Sequence, residues 1–132
     1  MVNPMQTTIL NPDNSDDQDM YLHSKLNYIN SIITKCDQFT RDVLAAGYGG
    51  LDSIIGDLVR DIHSFKGTVP MYEIVLIGQI CHCFEDDLFS QNVQGIPSHE
   101  QHTFRIVKFL ELIKISAILQ KQSLINDVLD EK

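Results

Sequence analysis

The pentapeptide from His63 to Gly67 brings three residues with distinct chemistry to one side of a helix. Residues three and four apart share a helical face, so His63, Lys66 and Gly67 lie together. They supply a titratable nitrogen nucleophile, a cation and a position without a side chain. The ring nitrogen can attack a phosphoryl group, the ammonium can stabilise the arriving negative charge, and the missing side chain lets another protein approach. The spacing therefore predicts a histidine that takes up a phosphoryl group.

Four amphipathic segments have to position this face. Apolar residues recur at three- and four-residue steps in each segment, and glycine or proline interrupts the pattern between them. The fourth segment begins with Ser98 followed by Gln101, which is a capping-box pattern. Short connections between such helices predict an all-α protein, an antiparallel up-down four-helix bundle. The segments run from about 19 to 46, from 51 or 52 to 68, from about 72 to 90, and from 98 onward.

The apolar stripes predict which side chains form the core. The second helix, which carries His63, and the third helix have the clearest stripes. The stripe of the second helix comprises Leu51, Ile55, Leu58, Ile62, Phe65 and Val69, and that of the third comprises Ile74, Ile77, Cys81, Phe84 and Leu88.

Residues 1–17 differ in composition from the rest of the chain. They are polar and contain Pro4, Pro12 and a cluster of Asn, Asp and Ser. This composition predicts a flexible N-terminal tail ahead of a single bundle domain over residues 18–132.

The composition limits the possible partners. A formal net charge of −8 and a pI near 4.8 disfavour nucleic acid and anionic membranes, and no Lys/Arg-rich window offsets this charge. No apolar run approaches the roughly 20 residues of a membrane span, and the N-terminus has no signal-peptide pattern. The three cysteines lie in helical patterns and are odd in number, which favours reduced thiols. We expect a cytoplasmic monomer.

The run Cys81-His82-Cys83 raises the possibility of a metal site. On a helix the two cysteine side chains point about 200° apart, so one ion cannot easily bind both. The sequence also has no phosphate-cradling glycine loop, which argues against ATP binding by this chain. We therefore expect no metal and no cofactor of the protein's own.

The segment IHSFKG on the second helix, followed by His82-Cys83-Phe84-Glu85 on the third, resembles the histidine-containing phosphotransfer (HPt) domain. It is most similar to the N-terminal phosphotransfer domain of chemotaxis-type histidine kinases, over roughly residues 20 to 115. The resemblance implies that His63 is the phosphoacceptor, with Lys66 beside it. It also implies that Glu85 hydrogen-bonds the imidazole, and that His82, one turn earlier, assists. Such a carboxylate fixes the ring tautomer and leaves the other nitrogen free to attack.

The resemblance further implies a phosphorelay function in two-component signalling. The phosphoryl group would come from a histidine kinase or from an aspartyl-phosphate receiver domain, and any magnesium ion would belong to that partner. Because the chain has no kinase domain of its own in this sequence, it would be a transfer intermediate. A docking patch would include Phe65, Gly67, Val69 and Met71.

The residues after Gly67 depart from the family pattern. Val69 and Met71 are bulkier than the small residues usual there, and Glu73 stands where a glycine is often found. The altered turn leaves a second hypothesis open, that of a non-catalytic helical adaptor which binds a signalling partner without phosphorylation.

Overall fold

A computed structural model of the chain describes residues 15–47, 50–90 and 98–130. Within these ranges the chain forms four α-helices and one short 3₁₀ helix, and no strand. The predicted tail lies outside the described residues as far as residue 14, and its last three residues already belong to the first helix. The elements are α1 (Ser15–Ala45), α2 (Leu51–Thr68), the 3₁₀ helix (Val69–Tyr72), α3 (Val75–Ser90) and α4 (His99–Asp130).

The helices pack in chain order around one core. Helix α1 contacts α2 and α4, α2 contacts α3, and α3 contacts α4. The two long helices, α1 with 31 residues and α4 with 32, lie against each other, and α2 and α3 form the shorter half. This confirms the predicted all-α, antiparallel up-down four-helix bundle.

The predicted stripes of the second and third helices form much of the core. All the predicted residues of both stripes are buried except Ile55, which is half-buried against the same cluster. Burying one aliphatic or aromatic side chain contributes about 1.5–3 kcal/mol to the stability of the fold relative to leaving it exposed. The two stripes therefore hold α2 and α3 against the rest of the bundle. The predicted start of α4 is also confirmed, because the backbone N–H of Gln101 donates to Ser98 Oγ at 3.2 Å.

The connection between α2 and α3 differs from the prediction. Helix α3 begins at Val75 and not near Tyr72, because the chain first forms the 3₁₀ helix with Pro70 at its start. Glu73 then adopts a left-handed conformation with φ 60°, and the next backbone N–H, of Ile74, donates to Val69 O at 3.2 Å. This left-handed residue ends the 3₁₀ helix and reverses the chain into α3.

None of the helices in the described ranges is long and apolar enough to cross a bilayer.

Candidate functional site

His63 lies on the outer edge of α2. The preceding residue, Ile62, is fully buried, and a step of about 100° along the helix takes His63 to the surface. Its side chain is 73% exposed, and its Nδ1 lies 2.9 Å from Glu85 Oε2 on α3. The imidazole is therefore accessible from solvent and held at one nitrogen.

Glu85 connects both residues of the α2 face. Its side chain is only 9% exposed, and its second oxygen, Oε1, accepts a hydrogen bond of 2.7 Å from Lys66 Nζ. One buried carboxylate thus binds His63 and Lys66 through separate oxygens. Burial of a carboxylate is unfavourable unless its oxygens are paired, and here both are.

The charge state of Glu85 follows from these contacts. The hydrogen bond from Lys66 is the largest influence and lowers the pKa of the Glu85 carboxyl. Burial acts in the opposite direction, and the hydrogen bond with His63 lowers the pKa again, so the net shift is downward. An ionised carboxylate can only accept, so His63 Nδ1 is the donor. In a neutral ring the lone pair then lies on Nε2, the nitrogen that Glu85 does not engage.

His82 lies outside this cluster. Its Nε2 is 3.5 Å from Asp86 Oδ2 in the following turn, and both side chains are exposed. His82 is three residues before Glu85, a rotation 60° short of a full turn. This rotation takes His82 to the outer surface while Glu85 stays at the edge of the core. The structure therefore does not bring His82 into contact with the His63 ring, in contrast to the predicted assisting role.

Two of the four predicted docking residues are core residues. Phe65 is 4% exposed and Val69 is 1% exposed, so neither projects from the surface as a docking side chain; this corrects the prediction. Both belong to the inward stripe, where packing against the other helices buries them. Met71, on the 3₁₀ helix, is 71% exposed, and Gly67 is exposed as well.

Nothing in the fold of the chain requires glycine at position 67. Gly67 is helical, without a positive φ, and a Cβ placed there would meet no atom within 4 Å. Gly67 does not end α2 either, because the helix continues to Thr68 and the left-handed residue of the connection is Glu73. The open space over Gly67 is next to Lys66 and within one turn of His63.

A shallow apolar groove adjoins the cluster, and the sequence did not indicate it. It has a volume of about 540 Å³ and runs between the end of α2, the 3₁₀ helix and the first two turns of α3. A Cβ on Gly78 would lie 3.1 Å from Val69 Cγ2, so this glycine permits the close contact at the floor of the groove. The lining residues are Lys66, Val69, Pro70, Ile74, Val75, Gly78, Gln79, His82 and Cys83.

The 3₁₀ helix is held in place by aromatic contacts with α1. The Tyr72 ring stacks on Tyr28 with centroids 5.1 Å apart, and Tyr72 Oη and Ser24 Oγ lie at a hydrogen-bonding distance of 2.6 Å. These contacts fix the segment that contributes Val69 and Pro70 to the groove and that carries the exposed Met71.

The residues that could bind a metal are dispersed. Cys81 is buried and Cys83 is exposed, as their angular separation on the helix predicts. Over residues 15–47, 50–90 and 98–130, no group of three or more His, Cys, Asp or Glu side chains converges on a point.

Comparison of the chain with protein-family models, with curated proteins and with solved structures gives no match.

Proposed function

We propose that the protein is an HPt-type phosphocarrier that accepts a phosphoryl group on His63 Nε2 and passes it to a receiver domain. The observation that carries this proposal is the single hydrogen bond between His63 Nδ1 and Glu85 Oε2 on a ring that is 73% exposed. A histidine that served only the fold would not need an accessible second nitrogen. A histidine that attacks a phosphorus atom needs both a fixed tautomer and an open face.

The proposed transfer exchanges a P–O bond of the donor for a P–N bond on His63. The Nε2 lone pair of neutral His63 attacks the phosphorus of a phosphorylated donor, and a P–N bond forms as the P–O bond of the donor breaks. With an aspartyl phosphate as donor, the carboxylate of the donor leaves. The ring acquires positive charge, and the ionised Glu85 carboxylate stabilises that charge through the Nδ1–H bond. In the return reaction each step runs backward.

Lys66 has two functions in this mechanism. In the resting state its Nζ is bound to Glu85 and keeps that carboxylate ionised. Because its side chain is 35% exposed, its ammonium also has access to the solvent side, where the phosphoryl oxygens would arrive. Phosphoryl transfer depends mainly on alignment and on charge stabilisation, and the partner's active site would supply the rest, including any magnesium ion.

The surface around the cluster supports approach by a folded partner. Gly67 leaves backbone accessible beside Lys66, Lys66 itself lines the apolar groove, and Met71 is exposed on the 3₁₀ helix. We propose that a receiver domain or a histidine kinase docks here, in the cytoplasm, where such partners occur. The remaining surface is acidic, in keeping with a net charge of −8, and does not favour a nucleic-acid partner.

The experiment is phosphoryl transfer from a radiolabelled phospho-receiver domain or an active histidine kinase. We expect acid-labile, alkali-stable label on the wild type, loss of the label in His63→Gln, and a phosphorus NMR signal typical of an Nε2-phosphohistidine. His23→Gln is the matched control, because it removes an exposed histidine of α1 that lies outside the cluster and outside the groove lining, and it should keep full labelling. Label that persists in His63→Gln would refute the proposal.

The groove also supports the second candidate, the binding-only adaptor. Its apolar lining could hold a partner without any chemistry at His63. A complex with a kinase or receiver domain that forms on wild type and on His63→Gln alike, with no label on either protein, would favour the adaptor.

A further inference from the structure

The outward side of α4 carries an exposed apolar stripe. Its central residues are between 45% and 62% exposed, although they are aliphatic. At 3.6 residues per turn they lie within about 60° of Ile115, on the side opposite to the buried Ile113 and Ala117. The central residues of the stripe are Leu112, Ile115, Ile118 and Leu119.

The polar residues of α4 that lie within about 40° of Ile115 carry no net charge. Lys108 and Glu111 lie 3.9 Å apart before the apolar block, and uncharged Gln122 follows it, with its Nε2 bonded to Asn126 Oδ1. The whole chain has a net charge of −8, so two copies repel each other over most of their surface. A second copy can approach at a locally neutral face, whereas a basic partner would be drawn to the acidic faces.

The two leucines of the stripe are placed symmetrically along the helix. About a midpoint between residues 115 and 116, Leu112 corresponds to Leu119, and Lys108 corresponds to Ser123, next to Gln122. Two α4 helices that pack antiparallel therefore match apolar with apolar side chains and an ammonium with an amide oxygen. Parallel packing would instead place Glu111 beside Glu111 and Lys108 beside Lys108, which is unfavourable.

The size of the stripe determines how stable such a contact can be. From Phe104 to Ile125 it is about 32 Å long, and a helix about 10 Å wide then presents roughly 300 Å² per copy. Stable interfaces bury about 800 Å² per partner, whereas transient ones bury less. The contact would thus be reversible, and the dilute protein would be the expected monomer.

We propose that α4 is the interface of a weak antiparallel homodimer, with a two-fold axis that passes between Ile115 and Ser116. The interface is isologous, since the same stripe serves in both copies. It is independent of the phosphoacceptor cluster, which lies on α2 and α3.

Sedimentation equilibrium over about 10 µM to 1 mM tests the association. We expect the average mass of the full chain to rise from 15.0 kDa toward twice that value. Leu119→Glu places a charge at the interface and should keep the mass at 15.0 kDa. Met71→Glu adds the same charge at an exposed position on the 3₁₀ helix and should associate like wild type. A constant wild-type mass, or equal loss of association in both variants, would overturn the proposal.

Disulfide cross-linking tests the antiparallel orientation. In a Cys83→Ser background, Ile115→Cys puts a thiol beside the axis, with an axial offset of about 1.5 Å between copies. Phe104→Cys puts its two thiols about 35 Å apart along the axis, beyond any disulfide. With copper–phenanthroline as oxidant, we expect covalent dimers from Ile115→Cys alone. Equal cross-linking of both variants would indicate parallel packing and contradict the proposed geometry.

Discussion

Replacing Glu85 with glutamine should reverse the tautomer of His63. The amide has one accepting oxygen and one donating nitrogen, whereas the carboxylate has two acceptors. Lys66 Nζ only donates, so it takes the amide oxygen and turns the NH₂ group toward His63 Nδ1. Nδ1 must then accept, the ring proton moves to Nε2, and the nucleophilic lone pair is lost from the exposed nitrogen.

The magnitude follows from the hydrogen bond that is lost. A hydrogen bond to a charged group contributes about 1.5–3 kcal/mol, and each 1.36 kcal/mol corresponds to a factor of ten in rate. Glu85→Gln should therefore slow phosphoryl uptake by roughly 10- to 150-fold. The rate is measured by quenched-flow transfer from a phosphorylated receiver domain, and the tautomer by long-range proton–nitrogen NMR of the His63 ring.

The double variant Lys66→Met/Glu85→Gln isolates the effect of Lys66 on the orientation of the amide. In a Lys66→Met background no ammonium fixes the amide, so its oxygen can rotate to accept from His63 Nδ1. Glu85→Gln should then slow transfer much less than it does in wild type, which is a non-additive result for residues in contact. Additive losses, or an Nδ1-protonated ring in the single Glu85→Gln variant, would refute this explanation. Urea unfolding of each variant controls for loss of the fold.

Three further predictions concern stability. Glu73→Gly should raise the free energy of unfolding by about 1 kcal/mol in urea titrations, because φ 60° is strained for a residue with a side chain, whereas Glu73→Ala should show no such gain. Gly67→Ala should stabilise α2 by about 1 kcal/mol, since the Cβ has room, yet slow transfer if a partner approaches there. The Glu85 pKa is lowered in the fold, so its contribution is complete above its usual pKa of 4.5 and lost as pH falls through the lowered value. Acid titration of wild type should therefore show a loss of stability that Glu85→Gln does not show.

The apolar periodicity was sufficient to predict the helices and most of the core. The stripes of α2 and α3 require only a 3.6-residue repeat, and the burial of Leu58 and Phe84 follows from it. The start of α3 could not be predicted, because the 3₁₀ helix depends on the packing of Tyr72 against α1, and residues far apart in the chain make that contact.

The candidate site was only partly predictable. The shared face of His63 and Lys66 follows from their spacing, and the resemblance to HPt domains identified Glu85. Spacing alone could not separate Glu85 from His82, because a difference of 60° decides which one turns toward α2. The prediction of the docking patch was partly wrong for a related reason. Phe65 lies beside the site in the sequence, but its side chain points into the core.

The geometry around Glu85 explains how the proposed transfer could keep a buried carboxylate neutralised throughout. In the proposed mechanism the attacking ring is neutral, and the ammonium of Lys66 is the positive group bound to the carboxylate. As the P–N bond forms, the ring of His63 becomes cationic and is already hydrogen-bonded to the other carboxylate oxygen. Lys66 is then free to turn to the phosphoryl oxygens without leaving an uncompensated charge in the protein, which would be costly. In the proposed transfer, one carboxylate with two separately bound oxygens would thus couple the arrival of the phosphoryl group to the release of the lysine.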